Sequence, residues 1–423
     1  MGVKTGKGWA LPIIALLDIY VIWIITSLPG LAISPIEGDL KTIFPGTSEM
    51  EIQLITTMPA AAAIPFIFIG GALGTRFNNI KLINLGSILF AGAGALCFVA
   101  NHMWQLIALS VVAGVGAGIV SPLSVTLISN IFVGKYRTKQ FGLTSALINV
   151  TLIGAVIATG YMAQWHWRSP FVFYIIPIIP ILLTPFLKKY VKEPKDLDES
   201  KGTVKFKFSK QCNVPALVRN CVFYGFITVM LSSISLFIPF MLQSYGYSSG
   251  MTGDLTAVVY VGIMIPGFTL PYLLKFFKNT VYDMILLFMA IGFLLMILTR
   301  SPIVIGIGIF LGSFFYGIGQ PYCYDRCSTI STAVASTLTM AWLISMNSVG
   351  EIACPFFLGW AEDIFGTKND PVFPYYFCLI LTICAWVFVF TRRLVTQKRQ
   401  RDNAAISEAA KKAVSEDSTT PKS

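Results

Sequence analysis

Charged residues are scarce in this 423-residue chain. Lys, Arg, Asp and Glu together make up 12% of it, whereas hydrophobic residues make up 55%. Soluble globular domains carry about 25% charged residues, so this scarcity excludes a soluble protein and predicts a membrane protein with several spans. The net charge of +11 comes from basic residues in short loops and at both termini. That distribution predicts contact with a lipid bilayer and no nucleic-acid partner.

Motifs for metal binding, nucleotide hydrolysis and catalysis are also missing. The chain has two histidines, and its eight cysteines include no CxxC pair and no neighbouring histidine. We therefore predict no metal site and no disulfide framework. The absence of a Walker A loop excludes ATP as the direct energy source. Without an HExxH motif or a similar cluster, neither an enzyme nor a cofactor is predicted.

Long apolar runs are what the chain does contain. Each is roughly 20 residues long, which is the length a helix needs to cross a hydrocarbon core, and none has the alternation of a membrane β-strand. We predict an all-α membrane protein with twelve transmembrane helices. The runs lie at about 10–33, 52–74, 82–100, 105–131, 142–163, 171–187, 216–241, 254–274, 283–299, 302–324, 334–358 and 374–391.

The longest polar interruption, residues 188–215, lies near the middle of the chain and carries eight lysines. It separates residues 1–187 from residues 216–391, and each part holds six runs. We predict two pseudo-symmetric six-helix bundles joined by this linker. The polar tail, residues 392–423, is predicted to be disordered beyond a helical start.

Glycine and proline recur at matching places in the two halves. The fourth run reads GVGAGIVSP from Gly114 to Pro122, and the tenth reads GIGQP from Gly317 to Pro321. Small residues allow close helix packing, and proline bends a span. Both residue types are common in membrane helices generally. The matching positions and the midpoint linker nevertheless favour a true repeat, which is an architecture of secondary transporters.

Lysine and arginine distinguish the two sides of the membrane. One set of loops, the linker and both termini hold most of them. The opposite loops hold four basic residues, Lys41, Arg168, Arg300 and Lys368. The positive-inside rule then places both termini and the linker in the cytoplasm. We predict a monomer in the plasma membrane, specifically a bacterial inner membrane.

The loop after the second run resembles a signature of the major facilitator superfamily. It reads GALGTRFNNIK from Gly71 to Lys81, and the family pattern is G-x-L-x-D-R-x-G-R-R/K. Gly71, Gly74, Arg76 and Lys81 are assigned to this loop motif, whereas Thr75 replaces the family's aspartate. The resemblance implies the twelve-helix fold of that family, alternating access, and a loop that helps to lock one conformational state.

Asp18 is the only charged residue on its stripe of the first run. It lies about eight residues into the run, or roughly 12 Å deep. A charge at the centre of a span costs about 2.5–3.5 kcal/mol, so it needs a cavity, a partner or a proton. Since the resemblance makes this helix a cavity wall, we assign Asp18 to proton coupling. The alternative is a structural carboxyl that a neighbouring helix satisfies.

Glu351 lies deep in the eleventh run, one helical turn from Asn347. The polar face that they share indicates a solvated cavity wall. The Asn347 amide can hydrogen-bond either protonation state of the glutamate. We assign Glu351 to proton coupling, with direct substrate binding as a related role. The alternative is a hydrogen bond between helices.

Polar and aromatic residues recur at helical spacing on the fifth, seventh and tenth runs. The predicted substrate cavity is lined by Asn149, Tyr224, Thr228, Tyr316, Gln320 and Asn347. Aromatic faces and neutral hydrogen-bonding groups suit an amphipathic, neutral or cationic solute. Intramembrane hydroxyls also serve as contacts between helices. At the cytoplasmic end of the tenth run, Asp325 and Arg326 are predicted to pair at the rim.

These observations predict a secondary active transporter that moves a small molecule by alternating access, driven by protons. Sparse charge in the predicted cavity favours efflux by proton antiport. Two alternatives remain open. One is a proton-coupled symporter that imports a small organic nutrient, and the other is a non-transporting receptor on the same scaffold.

Overall fold

The computed structural model describes residues 2–26, 28, 40, 43–45, 47, 49–191, 211–247, 249–333, 335–367 and 370–417. The chain begins with a hairpin in which strand β1 (Gly2–Lys4) pairs antiparallel with strand β2 (Ala10–Pro12). The helices of the first half are α1 (Ile13–Ile25), α2 (Glu49–Leu73), α3 (Asn79–Cys97), α4 (Met103–Ile131), α5 (Gly134–Trp165) and α6 (Ile178–Lys188).

The helices of the second half are α7 (Val214–Ser244), α8 (Ser249–Phe277), α9 (Val281–Leu298), α10 (Pro302–Ile330), α11 (Ser336–Phe365) and α12 (Phe373–Asp417). Within the described residues, nine helical segments are long and apolar enough to cross a membrane. Ile13–Ile25 and Thr57–Leu73 are shorter apolar helices.

Helix boundaries follow local chemistry. The Asn78 side chain caps α3 by accepting hydrogen bonds from the amides of Ile80 and Lys81, at 2.8 and 3.3 Å. Helix α11 ends at Gly366, where the left-handed backbone (φ +67°) favours glycine.

Two predicted boundaries differ from the structure. The sixth run begins as a 3-10 helix, Ser169–Ile175, and becomes α-helical only at Ile178, because prolines at 170 and 177 remove amide donors from the ladder. The tail was predicted to be disordered after a helical start, but α12 continues to Asp417. Its residues there are mostly Ala, Lys and Glu, which are good helix formers. Residues 192–210 of the linker and 418–423 of the tail lie outside the described residues.

The glycine-rich helices occupy equivalent positions in the two halves. Helix α4 packs between α2 and α3, and α10 packs between α8 and α9. A Cβ at Gly116 would lie 2.5 Å from the Gly86 carbonyl oxygen of α3, and one at Gly317 would lie 2.6 Å from the Ile263 carbonyl oxygen of α8. The small residues therefore permit backbone contact, as the repeat predicted.

The two halves meet along α2 with α11 and α5 with α8. The two halves are in close contact at one membrane face. This face carries residues 2–12, the α4–α5 turn and the α10–α11 turn. We call this the basic face, after the loops predicted to be cytoplasmic. The N-terminal hairpin lies against it: Val133 donates its amide to the Thr5 carbonyl at 3.0 Å, and Trp9 stacks on Tyr190.

Candidate functional site

A chain of hydrogen bonds links the two halves at mid-membrane depth. The Ser145 hydroxyl of α5 donates to Gln320 Oε1 of α10 at 3.0 Å. Gln320 Nε2 donates in turn to the Tyr224 hydroxyl of α7 at 3.1 Å. That hydroxyl lies 3.2 Å from the hydroxyl of Tyr324. Each polar group thus has a partner inside the membrane, where an unsatisfied one would be costly.

Asn347 is the centre of a second, adjoining group. Its Oδ1 accepts from the hydroxyls of Thr228 at 3.1 Å and Tyr316 at 3.0 Å. Its Nδ2 donates to Glu351 Oε1 at 2.8 Å. Tyr316 also stacks on Tyr224 with ring centroids 6.4 Å apart, which connects the two groups.

All six residues predicted to line a substrate cavity lie at one level. Counted along their helices from the basic face, they are about 15–22 Å deep, at 1.5 Å per residue. Five of them belong to the two hydrogen-bonded groups. The sixth, Asn149, adjoins them through a 2.8 Å bond from its Nδ2 to the carbonyl of Ser145.

Glu351 faces inward despite being solvent-accessible. Its residue surface is exposed, and its carboxylate accepts a hydrogen bond from Asn347. It lies within electrostatic range of the phenols of Tyr260, Tyr316 and Tyr324 on α8 and α10. The carboxylate therefore lies beside the phenols of α8 and α10 as well as the Asn347 amide.

Asp18 lies elsewhere. It is fully buried (0% exposed) among the apolar residues of α1, and neither carboxylate oxygen has a hydrogen-bond partner within the described residues. It is about 8 Å along α1 from Ile13, whereas Glu351 is about 22 Å along α11. The two predicted proton-coupling residues are therefore at different depths in this conformation.

An aromatic cluster adjoins the polar groups. Trp23 of α1 meets Tyr324 of α10 edge-on at 5.7 Å, and Phe141 of α5 lies 5.9 Å from the same tyrosine ring. All three side chains are buried. The cluster joins the halves next to the polar groups, to which the Tyr324 hydroxyl also belongs.

Polar contacts hold the halves together at the basic face itself. Asp325 of α10 pairs with Arg137 of α5 at 2.8 Å and accepts from the Thr138 hydroxyl at 3.1 Å. The hydroxyls of Ser129 on α4 and Ser336 on α11 are 2.8 Å apart. The predicted rim pair of Asp325 with Arg326 is therefore wrong. Successive residues point in different directions on a helix, and only Asp325 faces the other half.

The loop motif divides into two parts. Gly71 contacts Ala341 of α11, and a Cβ at Gly74 would lie 2.6 Å from a Thr337 methyl group, so both glycines lie where the halves meet. Arg76 and Lys81 are exposed at the basic face. Thr75, in place of the family's aspartate, donates to the Ala72 carbonyl of its own helix at 2.7 Å.

Sequence reasoning missed the residues that close the basic face. Trp23 and Phe141 are single aromatics in apolar runs, and Arg137 is one of several basic residues in the loops predicted to be cytoplasmic. An aromatic or charged residue near a helix end was the available signal, but it does not identify a partner in the other half. Within the described part of the chain, no three His, Cys, Asp or Glu side chains gather as a metal site would require.

The family of this chain is indicated by its similarity to known proteins. A model described as Major Facilitator Superfamily matches residues 13–324. Among curated proteins, the multidrug transporter protein MdtP of Bacillus subtilis is 26% identical over 241 residues, which cover 56% of this chain and 40% of MdtP. The quinolone resistance protein NorA of Staphylococcus aureus is 30% identical over 145 residues, which cover 34% of this chain and 37% of NorA. These matches span well under two thirds of either relative.

Solved structures resemble nearly the whole chain. The proton:xylose symporter XylE has a TM-score of 0.64 at 16% identity, covering 90% of this chain and 95% of XylE. FucP in an outward conformation has a TM-score of 0.67 at 15% identity, covering 89% of this chain and 97% of FucP. At these identities the likeness concerns the fold alone. With the family match over most of the chain, it establishes that this protein belongs to the major facilitator superfamily, whose members are membrane transporters and not enzymes.

Proposed function

We propose that this protein exports a small amphipathic or cationic compound in exchange for protons, by alternating access. The observation that carries the proposal is the mid-depth site in which Glu351 and Asn347 of α11 come together with the stacked tyrosines of α7 and α10. One carboxylate among neutral amides and aromatic faces suits a cation or an amphipathic solute that a proton can replace. The names of the multidrug relatives support the same reading.

Proton coupling is assigned to Asp18 of α1 and Glu351 of α11. In this conformation Asp18 has no partner among the described residues, and burying an unpaired charge costs far more than burying a protonated carboxyl. We propose that Asp18 is protonated while the basic face is closed. Opening that face would hydrate α1 and release the proton, while Glu351 binds either the substrate or a proton.

The experiment is transport in proteoliposomes with an imposed pH gradient, using a fluorescent lipophilic cation as probe. The expected result is movement of the dye opposite to the proton flow and against its own gradient, abolished by a protonophore. Movement in the same direction as protons would instead support symport. Saturable binding without any movement would support a receptor, and both outcomes would overturn the antiport proposal.

Glu351→Gln tests the site within the same assay. The amide keeps the size and the hydrogen bond to Asn347 but removes the charge, so dye affinity should fall and lose its pH dependence. Ser348→Ala is the matched control, since Ser348 is a neighbouring polar residue of the same helix outside the Asn347 group. Unchanged affinity and unchanged pH dependence in Glu351→Gln would reduce Glu351 to a packing role.

A further inference from the structure

A second cavity lies away from the central site, between α7, α9, α10 and α12 at the basic face. Its volume is about 560 Å³, which is within the usual range for ligand sites. It belongs wholly to the second half and opens sideways, where Val222 and Phe388 expose 60% and 66% of their surface. These apolar side chains lie on the membrane-facing side of the protein, so the cavity opens towards lipid.

The cavity is strongly basic at its outer end. Arg219, Arg326, Arg392 and Arg393 line it together with one acidic residue, Asp283. Asp283 is already neutralised, because Arg393 Nη1 binds its Oδ2 at 2.6 Å. Three arginines therefore remain without a compensating carboxylate from the cavity wall.

Two of these arginines are available to a ligand. Arg219 and Arg392 are exposed, and neither guanidinium has a hydrogen bond or ion pair within the part of the chain that the structure describes. They lie on two different helices, α7 and α12, that line the same cavity. A guanidinium presents planar donors that match a phosphate group, and two of them can bind one phosphate from two sides.

The cavity changes from basic to apolar with depth. Arg219 is about 8 Å along α7 from Val214, whereas Phe226 is about 18 Å along it, at 1.5 Å per residue. Val389 and Phe388 of α12 line the same deeper part. A soluble anion would use only the outer end, whereas a molecule with a phosphate and a hydrocarbon chain would use both. Basic cavities between membrane helices on the cytoplasmic side are suited to lipid headgroups.

We propose that this cavity binds an anionic glycerophospholipid, with its phosphate between Arg219 and Arg392 and one acyl chain along Val222 and Phe388. The site is separate from the proposed transport cleft. It adjoins the end of α10, where Asp325 joins the halves at the basic face.

The test is lipid binding to the purified full-length protein in a neutral detergent, measured as the shift of the thermal unfolding midpoint. Phosphatidylglycerol is titrated against phosphatidylcholine, and glycerol 3-phosphate serves as the headgroup without chains. A ligand that binds only the folded protein raises the midpoint as its concentration rises. Phosphatidylglycerol should raise it, and the other two should not.

The charge-removing variant is Arg219→Gln with Arg392→Gln. Each arginine near an anionic lipid contributes to the binding free energy, and the loss of both should weaken phosphatidylglycerol binding about thirtyfold. The matched control removes two exposed charges of the same face outside the cavity, Lys139→Gln with Lys275→Gln, and should bind like the parent protein. Should the double arginine variant not fold, Val222→Trp blocks the apolar wall with all charges kept and should also lose binding.

The proposal is overturned if phosphatidylcholine stabilises the protein equally, or if glycerol 3-phosphate alone reproduces the shift. It is also overturned if the arginine variant binds as tightly as its lysine control. None of these outcomes depends on whether the protein exports or imports its substrate.

Discussion

At the scale of single residues, Asp18 and Glu351, the two residues assigned to proton coupling, have opposite surroundings. Glu351 is exposed and bonded to Asn347, whereas Asp18 is fully buried without a partner among the described residues. The sequence singled out both, because a charge is conspicuous in an apolar run. It could not distinguish them, since solvation depends on which neighbouring helix faces the side chain.

Asp18→Asn should abolish accumulation driven by a proton gradient while leaving substrate binding intact. The amide cannot carry a proton, yet it fills the same space. One pH unit corresponds to about 1.4 kcal/mol per coupled proton, so the parent protein should accumulate dye about tenfold per unit and the variant should only equilibrate it. The measurement is dye uptake into proteoliposomes at a series of imposed pH differences.

The control for this prediction is Asp254→Asn. That aspartate is exposed near the start of α8, so its neutralisation should leave the accumulation ratio unchanged. Full accumulation by the Asp18→Asn variant would remove Asp18 from proton coupling.

At the scale of helices, the contact between α5 and α8 depends on two glycines. A Cβ at Gly267 would lie 2.5 Å from the Gly142 carbonyl oxygen, so the two backbones touch where the halves meet. The sequence predicted both helices but not this contact. Gly142 stands outside the glycine repeats, and nothing local identifies the helix that approaches it.

Gly142→Val should therefore hinder closure of the basic face. Overpacking costs about 1–3 kcal/mol, which would lower the population of the closed state by about 5- to 150-fold. Transport should slow accordingly, while the purified protein stays monodisperse. The measurement is the initial transport rate in proteoliposomes.

Gly154→Val is the matched control on the same helix. A Cβ at Gly154 meets no atom within 4 Å, so the same substitution changes helix propensity without a clash. Equal transport rates in the two variants would show that close contact of α5 with α8 is not needed.

At the scale of the whole molecule, the described contacts hold the halves together at the basic face. The ion pair of Arg137 with Asp325, the aromatic cluster around Tyr324 and the contact of Ser129 with Ser336 all lie on that side. In an alternating-access cycle, such contacts must break for the site to open towards the basic face.

Cysteines at positions 129 and 336 should cross-link and stop transport. The two serine hydroxyls are 2.8 Å apart, so the side chains are close enough for a disulfide. Mild oxidation of Ser129→Cys with Ser336→Cys should abolish transport, and a reductant should restore it. The single variant Ser129→Cys is the control, because seven of the eight native cysteines are buried. Transport that continues in the cross-linked protein would show that this contact does not open during the cycle.

The orientation in the membrane stays a prediction from the positive-inside rule. An impermeant maleimide added to intact cells should label Arg300→Cys but should label Lys275→Cys only after the cells are opened. Both positions are exposed, on opposite faces. The reverse pattern would invert the topology.

The sequence by itself determined the membrane class, the twelve helices and their repeat. Apolar length and composition are local properties, and they decide whether a segment can span a bilayer. It also determined which polar residues share a helix face, since that follows from 3.6 residues per turn. Only the tertiary structure decided that Ser145 meets Gln320, that Asp325 pairs with Arg137 instead of Arg326, and that Asp18 and Glu351 lie at different depths. Those outcomes depend on the rotation and approach of helices far apart in the chain, which packing fixes and no local pattern encodes.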